Sequence, residues 1–354
     1  MGETTCHAAP QWLSEQYMQQ VLRNYKNDAQ LKVQSMNIEA ATGKGENYAS
    51  IMTRMQVTFQ LSSSKQSTTE NYIVKTTHEG DPYITSIMQH YDIYNTEMNM
   101  YEKVLPQLTK MLQNIGDNDK LFADTVHVDY ANSAIIFEDL AVSQFEMADR
   151  LKGMDKAHVK LALKKLAKMH ATAAVLNRQQ SGFLQKYTRG IFNRHTKGFA
   201  PFFENLIEVC ANFAGNCPEL GSYYKEKLLK LQPHVMDYAA DAYYCDDSQQ
   251  FHTLIHGDFW VNNIMLRYNE RKQIDDMKLI DFQFCNWSNP AIDLHYFFNT
   301  SMQSELRLHG QDELVQYYHG VLADTLRQLK YDLKVPTLHE FCLQVEAARF
   351  NGRS

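Results

Sequence analysis

Three polar side chains within residues 256–283 could together support phosphoryl transfer. Asp258 and Asn263 are five positions apart, and Asp281 follows a stretch with the pattern of a short hairpin. Transfer of a phosphoryl group from ATP needs one carboxylate that takes the proton of the acceptor hydroxyl, and a carboxylate and an amide oxygen that hold Mg²⁺. Asp258 suits the first role, and Asn263 and Asp281 suit the second. The residue types and their spacing therefore predict a catalytic base beside a magnesium site.

Lys75 is the candidate for neutralising phosphate charge. It ends a short apolar run that predicts a β-strand. Glu97 lies on the apolar stripe of a later predicted helix, which argues against exposure, and a buried carboxylate needs a cation. Ahead of Lys75, a polar turn between two predicted strands carries Gly43, Gly45 and Asn47. This turn lacks a third glycine at the expected step, but its position between two strands favours a phosphate-binding loop.

The order of the predicted elements divides the chain into two unlike parts. After an opening helix over residues 10–25, the pattern is mainly β, with strands at 31–40, 53–60, 72–75, 126–130 and 134–137. One helix follows the third strand and carries Glu97, and Pro106 is expected to end it. We therefore predict a small β-rich part over residues 1–140.

The second part, residues 141–354, is predicted to be mostly helical. Its predicted helices include residues 159–173, 202–213, 220–244 and 338–350, and its short strands are residues 251–255, 264–268 and 277–280. The fold class is therefore α+β. The candidate catalytic residues fall at the ends of the short strands.

Composition narrows the class of protein. A chain of 354 residues is expected to form two domains or one bilobal unit, and 44% hydrophobic residues exclude a disordered chain. A net charge of −6 argues against a general nucleic-acid binder. No apolar stretch reaches the ~18 residues of a membrane helix, and no signal peptide pattern is present. The six scattered cysteines then indicate reduced thiols, so we expect a cytoplasmic protein.

The motifs as a set resemble the protein-kinase-like fold in its small-molecule branch, which includes aminoglycoside phosphotransferases and choline kinases. The resemblance is greatest to the insect ecdysteroid-kinase-like family and extends from about residue 10 to 350. The segments that carry it are residues 256–263 (HGDFWVNN), 279–283 (LIDFQ), 138–140 (EDL) and 166–171 (LAKMHA). The resemblance implies a bilobal kinase fold that uses ATP and Mg²⁺.

The resemblance also implies a role for each candidate residue. Asp258 resembles the catalytic base, Asn263 the second metal ligand and Asp281 the main metal ligand. Lys75 matches the strand lysine that pairs with the ATP phosphates. Glu97 matches the helix glutamate that orients this lysine.

Further positions match the nucleotide-binding and loop-supporting residues of the family. Glu138 and Leu140 flank the hinge, where adenine would lie against backbone groups. Asp293 resembles the aspartate that braces the catalytic loop. His256 is expected to hold this loop by hydrogen bonds rather than to bind a metal, and His170 is expected to be a core histidine with its hydrogen bonds satisfied.

The acceptor is predicted to be a small-molecule alcohol. A protein kinase would need a long activation segment, and only eleven residues separate Asp281 from Asp293. Twelve Phe or Tyr within residues 183–244 suit a steroid or xenobiotic alcohol, although ordinary helix packing explains them equally well. Two alternatives stay open, namely a choline- or ethanolamine-type kinase and a catalytically impaired, ligand-binding pseudokinase. The only feature that favours the pseudokinase is that the chain stops at Ser354, whereas related proteins usually continue with further helices. A metal hydrolase would need more ligands than this pattern offers.

Overall fold

The computed structural model describes residues 10–41, 50–77, 82–243 and 250–350. Its N-terminal part consists of helices α1 (Glu15–Tyr25), α2 (Pro82–Tyr91), α3 (Ile93–Asn99) and α4 (Leu105–Asn114) and strands β1 (Lys32–Ala40), β2 (Ser50–Gln60), β3 (Ser67–Thr77), β4 (Thr125–Asp129) and β5 (Ala134–Glu138). The strands form one antiparallel sheet in the order β1-β2-β3-β5-β4. The β-rich N-terminal part predicted from the sequence is thereby confirmed.

The sheet has two different faces because side chains alternate along each strand. Helix α1 begins at Ser14, whose hydroxyl accepts a hydrogen bond from the Tyr17 amide at 3.2 Å. Its buried stripe packs against one face of the sheet, in a cluster that includes Met18, Leu22, Met55, Val57, Phe59, Val74 and Ile136. The other face carries Lys75 and turns towards α3 and the C-terminal part.

The helix that carries Glu97 does not end at Pro106, as the sequence predicted. After α3 the backbone forms a π-helical turn, Met100–Val104, and continues directly into α4. Pro106 lies in the first turn of α4, directly after the π turn, where its fixed φ suits the helix. The π turn therefore joins two helical segments that the proline was expected to separate.

The C-terminal part is mostly helical, as predicted. Its helices are α5 (Lys156–Gln179), α6 (Ala200–Asn216), α7 (Gly221–Leu231), α8 (Val235–Tyr243), α9 (Ala291–Ser301), α10 (Ser304–His309), α11 (Gln311–Gln328) and α12 (Leu338–Phe350). The strands are β6 (Glu146–Met147), β7 (Thr253–Ile255), β8 (Ile264–Tyr268), β9 (Ile274–Leu279) and β10 (Asn286–Ser288). The helix expected over residues 220–244 is instead two helices, because Pro233 interrupts it within a short 3₁₀ turn.

A buried ion network joins the two parts. The side chain of Lys165 on α5 is fully buried, and its ammonium lies 2.6 Å from both Asp119 and Asp276. Asp119 belongs to the loop between α4 and β4, whereas Asp276 lies on β9. Close to this network the Leu279 amide donates to the Leu121 carbonyl at 2.9 Å. The N-terminal part is therefore held to the strand that leads to Asp281.

None of the helices within the described ranges combines the length and apolar character needed to cross a membrane.

Candidate functional site

Lys75, Glu97 and Asp281 form one ion cluster between the sheet and the C-terminal part. The Lys75 ammonium lies 2.7 Å from Glu97 Oε2 and 2.8 Å from Asp281 Oδ1. Residue 75 faces α3 because β3 directs alternate side chains to the same face of the sheet. Glu97 is buried on the stripe of α3, as its position in the sequence predicts. The structure thus brings together three residues that are distant in the sequence, since Lys75 and Asp281 are 206 positions apart.

The charges of this cluster do not balance. Burial alone lowers the pKa of Lys75, but the carboxylates of Asp281 and Glu97 outweigh burial and raise it, so the lysine stays charged. Burial raises the pKa of Glu97, Asp281 raises it further, and Lys75 opposes both effects. One ammonium faces two carboxyl groups, and the pKa of Glu97 is raised to about 7, so a further cation at this position would favour the ionised form of Glu97.

Asp258 and Asn263 are joined in the turn between β7 and β8. The Asn263 amide nitrogen donates to Asp258 Oδ2 at 2.9 Å and to the Asp258 backbone oxygen at 2.8 Å. Burial raises the pKa of Asp258, and the nearby carboxylate of Asp281 raises it further. The Tyr296 hydroxyl and the Asn263 amide act in the opposite direction, because hydrogen-bond donors favour the ionised carboxylate.

Asp293 supports the start of this turn. Its carboxylate accepts hydrogen bonds from the backbone amides of His256 at 2.7 Å and Gly257 at 2.9 Å. His170 approaches the same carboxylate at 3.1 Å through Nε2, and its Nδ1 lies 2.6 Å from the Tyr318 hydroxyl. His170 is therefore a buried core histidine with partners on both ring nitrogens, and Asp293 has the bracing position that the resemblance implies.

His256 and Gly257 connect the turn that carries Asp258 and Asn263 to the segment after β9. His256 Nε2 lies 2.9 Å from the Ile280 backbone oxygen, and the Ile280 amide donates to the Asn263 carbonyl at 3.1 Å. Gly257 has a φ of +80°, and a Cβ atom there would lie 2.1 Å from the Phe284 carbonyl oxygen. Only glycine allows this close approach of two backbone segments. These contacts keep Asp258 and Asp281 close enough for their charges to interact.

The oxygen atoms of Asp281 and Asn263 fit a magnesium site. Both hydrogen bonds of the Asn263 side-chain nitrogen go to Asp258. The side-chain oxygen Oδ1 of Asn263 is therefore the atom available for a cation. Asp281 has a φ of +66°, and its Oδ1 is held by Lys75. Mg²⁺ prefers such hard oxygen ligands and retains waters, so one carboxylate and one amide are sufficient. The excess of carboxylates over ammonium groups agrees with this donor set.

Glu138 and Leu140, the residues expected to flank the hinge, both have backbone groups in hydrogen bonds: the Glu138 amide donates to the Asp124 carbonyl at 3.0 Å, and the Leu140 carbonyl accepts from the Phe145 amide at 3.1 Å. Glu138 ends β5, and its carboxylate accepts a hydrogen bond from the Asp124 amide at 2.8 Å. Leu140 is buried at the start of a short 3₁₀ helix. This arrangement is compatible with a base held by the backbone between them. Gly43, Gly45 and Asn47 lie outside the described residues.

Two residues of the site region were not identified from the sequence. Tyr296 lies on α9 three positions after Asp293, so the helical repeat placed it on the same face. Arg54 on β2 lies 2.6 Å from Asp139, directly after the hinge residue Glu138. Nothing in the local sequence marks Arg54, because its position depends on strand register.

The aromatic residues of the predicted acceptor region divide into two groups. Some face inwards, with ring centroids 4.9 Å apart for Phe192 and Phe203 and 6.0 Å apart for Phe192 and Tyr243. The charge of Asp258 affects Tyr243, whose pKa is raised mainly by burial. Others, such as Phe213, are exposed on α6 and α7. Of this inner group, Tyr243 lies close enough to the candidate base Asp258 for their charges to interact.

Comparisons with known proteins match one family model and several solved structures, among them two of a choline kinase. The model of the family described as "Ecdysteroid kinase-like family" matches residues 44–331. The choline kinase LicA from Streptococcus pneumoniae is similar at 14% sequence identity and a TM-score of 0.34, over 95% of this chain and 99% of that chain. The structure of LicA in complex with AMP is similar at 14% sequence identity and a TM-score of 0.34, over 96% of this chain and 97% of that chain.

No protein of curated function matches the sequence. The family model covers most of the chain and includes Lys75, Glu97 and Asp281 of the ion cluster and Asp258 and Asn263 of the turn between β7 and β8. The chain therefore belongs to the ecdysteroid kinase-like family.

Proposed function

We propose that this protein is an ATP- and Mg²⁺-dependent phosphotransferase that phosphorylates a hydroxyl group of a small molecule. The acceptor class that we propose is a steroid or xenobiotic alcohol, bound between proposed lobes of residues 1–140 and 141–354. One observation carries the proposal: Lys75 is paired with Glu97 and Asp281, while Asp258 and Asn263 are hydrogen-bonded to each other on the adjoining turn. Together these groups include a base, a phosphate-binding lysine and oxygen ligands for a metal, which phosphoryl transfer requires.

Asp258 is the proposed general base. Asn263 and Tyr296 hold its carboxylate by hydrogen bonds, and this carboxylate is proposed to take the proton of the acceptor hydroxyl. The acceptor oxygen then bonds to the γ-phosphorus of ATP as the bond from that phosphorus to the bridging oxygen breaks, and ADP leaves. The raised pKa of Asp258 brings the strength of this base closer to working pH than that of an exposed aspartate.

Lys75 is proposed to bind the phosphates. Its pKa is raised by Asp281 and Glu97 despite its burial, so the ammonium carries its charge throughout. Glu97 holds the lysine from the helix side and keeps it extended into the cleft. Asn263 and Asp281 would hold Mg²⁺, which when bound neutralises phosphate charge and orients the transferred group. The backbone of Glu138 and Leu140 is the proposed contact for adenine.

The surroundings of Asp258 support an apolar acceptor. Tyr91 stacks on Phe199 with centroids 5.8 Å apart and contacts Phe284 edge-on at 5.6 Å. Phe192 and Tyr243 form a second aromatic pair with centroids 6.0 Å apart, and both Asp258 and the buried Tyr91 lie close enough to affect the pKa of Tyr243. Aromatic rings provide a large apolar contact area for a rigid alcohol such as a steroid.

A thermal-shift titration tests the proposed nucleotide site. The midpoint of wild type is expected to rise with ATP only when Mg²⁺ is present, because a ligand of the native state stabilises it by mass action. Asp281→Ala is expected to lose this rise, while the exposed Asp275→Ala on the β8–β9 hairpin keeps it. A wild-type rise would then justify screening ecdysteroids, other sterols and plant alcohols for phosphorylation. If folded wild-type protein shows no rise, the proposed nucleotide site is wrong, and the catalytically impaired, ligand-binding alternative is favoured.

A further inference from the structure

Arg54 lies on the face of the sheet that carries Lys75. Arg54 pairs with Ile73 across β2 and β3, and Ile73 pairs with Phe137 across β3 and β5. Residues opposite each other in antiparallel strands point to the same face. Ile73 precedes Lys75 by two residues, so it shares that face too. Arg54 is therefore on the cleft face, displaced from Lys75 by about 7 Å along the strand.

The displacement runs from Lys75 towards the hinge. Lys75 pairs with Ile135, whereas Ile73 pairs with Phe137, the residue just before Glu138. A nucleotide with its phosphates at Lys75 and its base at the hinge therefore passes the level of Arg54 at its base end. The position of the nucleotide beside Arg54 rests on the nucleotide site proposed above.

The guanidinium of Arg54 is held in place from one side. Its Nε donates to Asp139 Oδ2 at 2.6 Å, and the Asp139 side chain is only 5% exposed. The other carboxylate oxygen of Asp139 accepts the Ala141 amide at 3.1 Å and so caps the 3₁₀ helix after the hinge. The Arg54 side chain itself is 33% exposed. The buried Asp139 carboxylate accepts one hydrogen bond on each oxygen and so fixes the planar guanidinium of Arg54, which a ligand in the cleft can reach.

We propose that Arg54 is a specificity-determining residue for the nucleotide base and stacks its guanidinium on a purine ring. A guanidinium is planar, is weakly hydrated and stacks on aromatic faces, whereas a lysine ammonium does not. Asp139 fixes the plane of the group before the nucleotide arrives, which reduces the entropy lost on binding. Purines present a larger face than pyrimidines, so the contact favours ATP over CTP.

Calorimetry with two probes separates the base from the phosphates. We compare wild type, Arg54→Lys and Arg267→Lys for binding of ATP and of inorganic tripolyphosphate, both with Mg²⁺. Arg267 is a matched control, because its Nε also donates to an aspartate, Asp275, at 3.0 Å and its side chain is 35% exposed. Arg54→Lys is expected to weaken ATP roughly tenfold, as base stacking predicts, and to leave tripolyphosphate unchanged. Arg267→Lys should change neither.

Other results would overturn the inference. Equal weakening of ATP and tripolyphosphate by Arg54→Lys would make the residue a phosphate contact, and unchanged ATP affinity would remove it from the site. If Arg54→Lys fails to fold, Asp139→Asn provides the second variant, since it keeps an oxygen for the Ala141 amide but loosens Arg54. It should weaken ATP and not tripolyphosphate. A wild type that binds neither probe would overturn the proposed function as well, which distinguishes the two failures.

Discussion

The Lys75 ammonium lies 2.8 Å from Asp281 Oδ1, so the proposed phosphate-binding lysine and the proposed main metal ligand are paired with each other. Glu97 shares the same ammonium at 2.7 Å. If the proposed roles hold, Asp281 would contact Mg²⁺ and Lys75 the phosphates, so ligand binding would redistribute these contacts. The ion pair holds the Lys75 ammonium against both carboxyl groups, and although burial lowers the pKa of Lys75, these contacts raise it.

Replacing Lys75 with methionine is expected to weaken ATP binding. Hydrogen bonds to charged groups contribute about 1.5–3 kcal/mol, so the affinity should fall roughly 10- to 100-fold. Isothermal titration calorimetry with Mg²⁺ and ATP measures this directly. Lys65→Met, at an exposed position in the loop before β3, is the control and should bind ATP like wild type. An unchanged affinity in Lys75→Met would remove the lysine from the nucleotide site.

Asp258→Asn is expected to stop turnover without releasing ATP. The asparagine keeps an oxygen for the Asn263 amide, but it cannot take a proton, and general-base catalysis contributes about 10²- to 10⁴-fold. Turnover with an accepted alcohol should fall by that factor while the ATP dissociation constant changes less than about twofold. Asp275→Asn provides an exposed control. Comparable turnover in Asp258→Asn and wild type would contradict the assigned role.

The pH dependence of turnover should report the environment of Asp258. Burial and Asp281 raise the pKa of this carboxyl, and the base works only when ionised, so turnover should fall on acidification at a higher pH than for an exposed aspartate. Tyr296 lowers this pKa. Tyr296→Phe should therefore move the acid limb of the kcat profile to higher pH. The control Tyr130→Phe, at an exposed residue bonded to Glu102, should not move it. A shift to lower pH would refute the contact.

The candidate site was largely predictable because its residues carry unusual patterns. Asp258 and Asn263 follow a short strand at fixed spacing, and Glu97 interrupts an apolar stripe, so residue type and position agree. Lys75 ends an apolar strand. The structure brings these four residues and Asp281 into two connected clusters, although their chemical roles stay predictions.

Other features could not be predicted because they depend on tertiary contacts. The π turn Met100–Val104 places Tyr101 against Phe282, with centroids 5.5 Å apart, and no local signal marks such a turn. Lys165 has the sequence pattern of an exposed helix lysine, yet it is buried because carboxylates from two distant segments reach it. The strand β10 contains only three residues, too few for an alternating pattern.

Gly257→Ala is expected to disrupt the turn between β7 and β8, which carries Asp258 and Asn263. The residue has a φ of +80°, and the added Cβ would lie 2.1 Å from a backbone oxygen of Phe284 that cannot move independently. Strain and the clash together should lower the free energy of unfolding by at least about 3 kcal/mol in urea titrations. Gly320→Ala in the middle of α11 is the control, since nothing lies within 4 Å of its added Cβ, and should stabilise by about 0.5–1 kcal/mol. Equal stabilities of the two variants would contradict the geometry.

The buried network around Lys165 should make stability depend on pH in the acidic range. Burial raises the pKa of Asp119, but Lys165 and Lys168 outweigh burial and hold it at about 2, below its ordinary value of 3.8. A carboxylate whose folded-state pKa is lowered contributes stability above its unfolded-state pKa, and this contribution is lost as the pH falls through the folded-state value. The loss should therefore occur between about pH 4 and about pH 2.

Asp119→Asn tests this network through the shape of the acid limb. The variant should be less stable than wild type in urea titrations near about pH 6, and the difference should shrink as the pH falls towards about 2.5. The control Asp241→Asn removes one carboxylate of an exposed pair with Arg194, where the Asp241 side chain is 68% exposed, and should change stability by less than about 0.5 kcal/mol at every pH. A difference between Asp119→Asn and wild type that stays constant with pH would show that packing, rather than the charge of Asp119, joins the loop to β9.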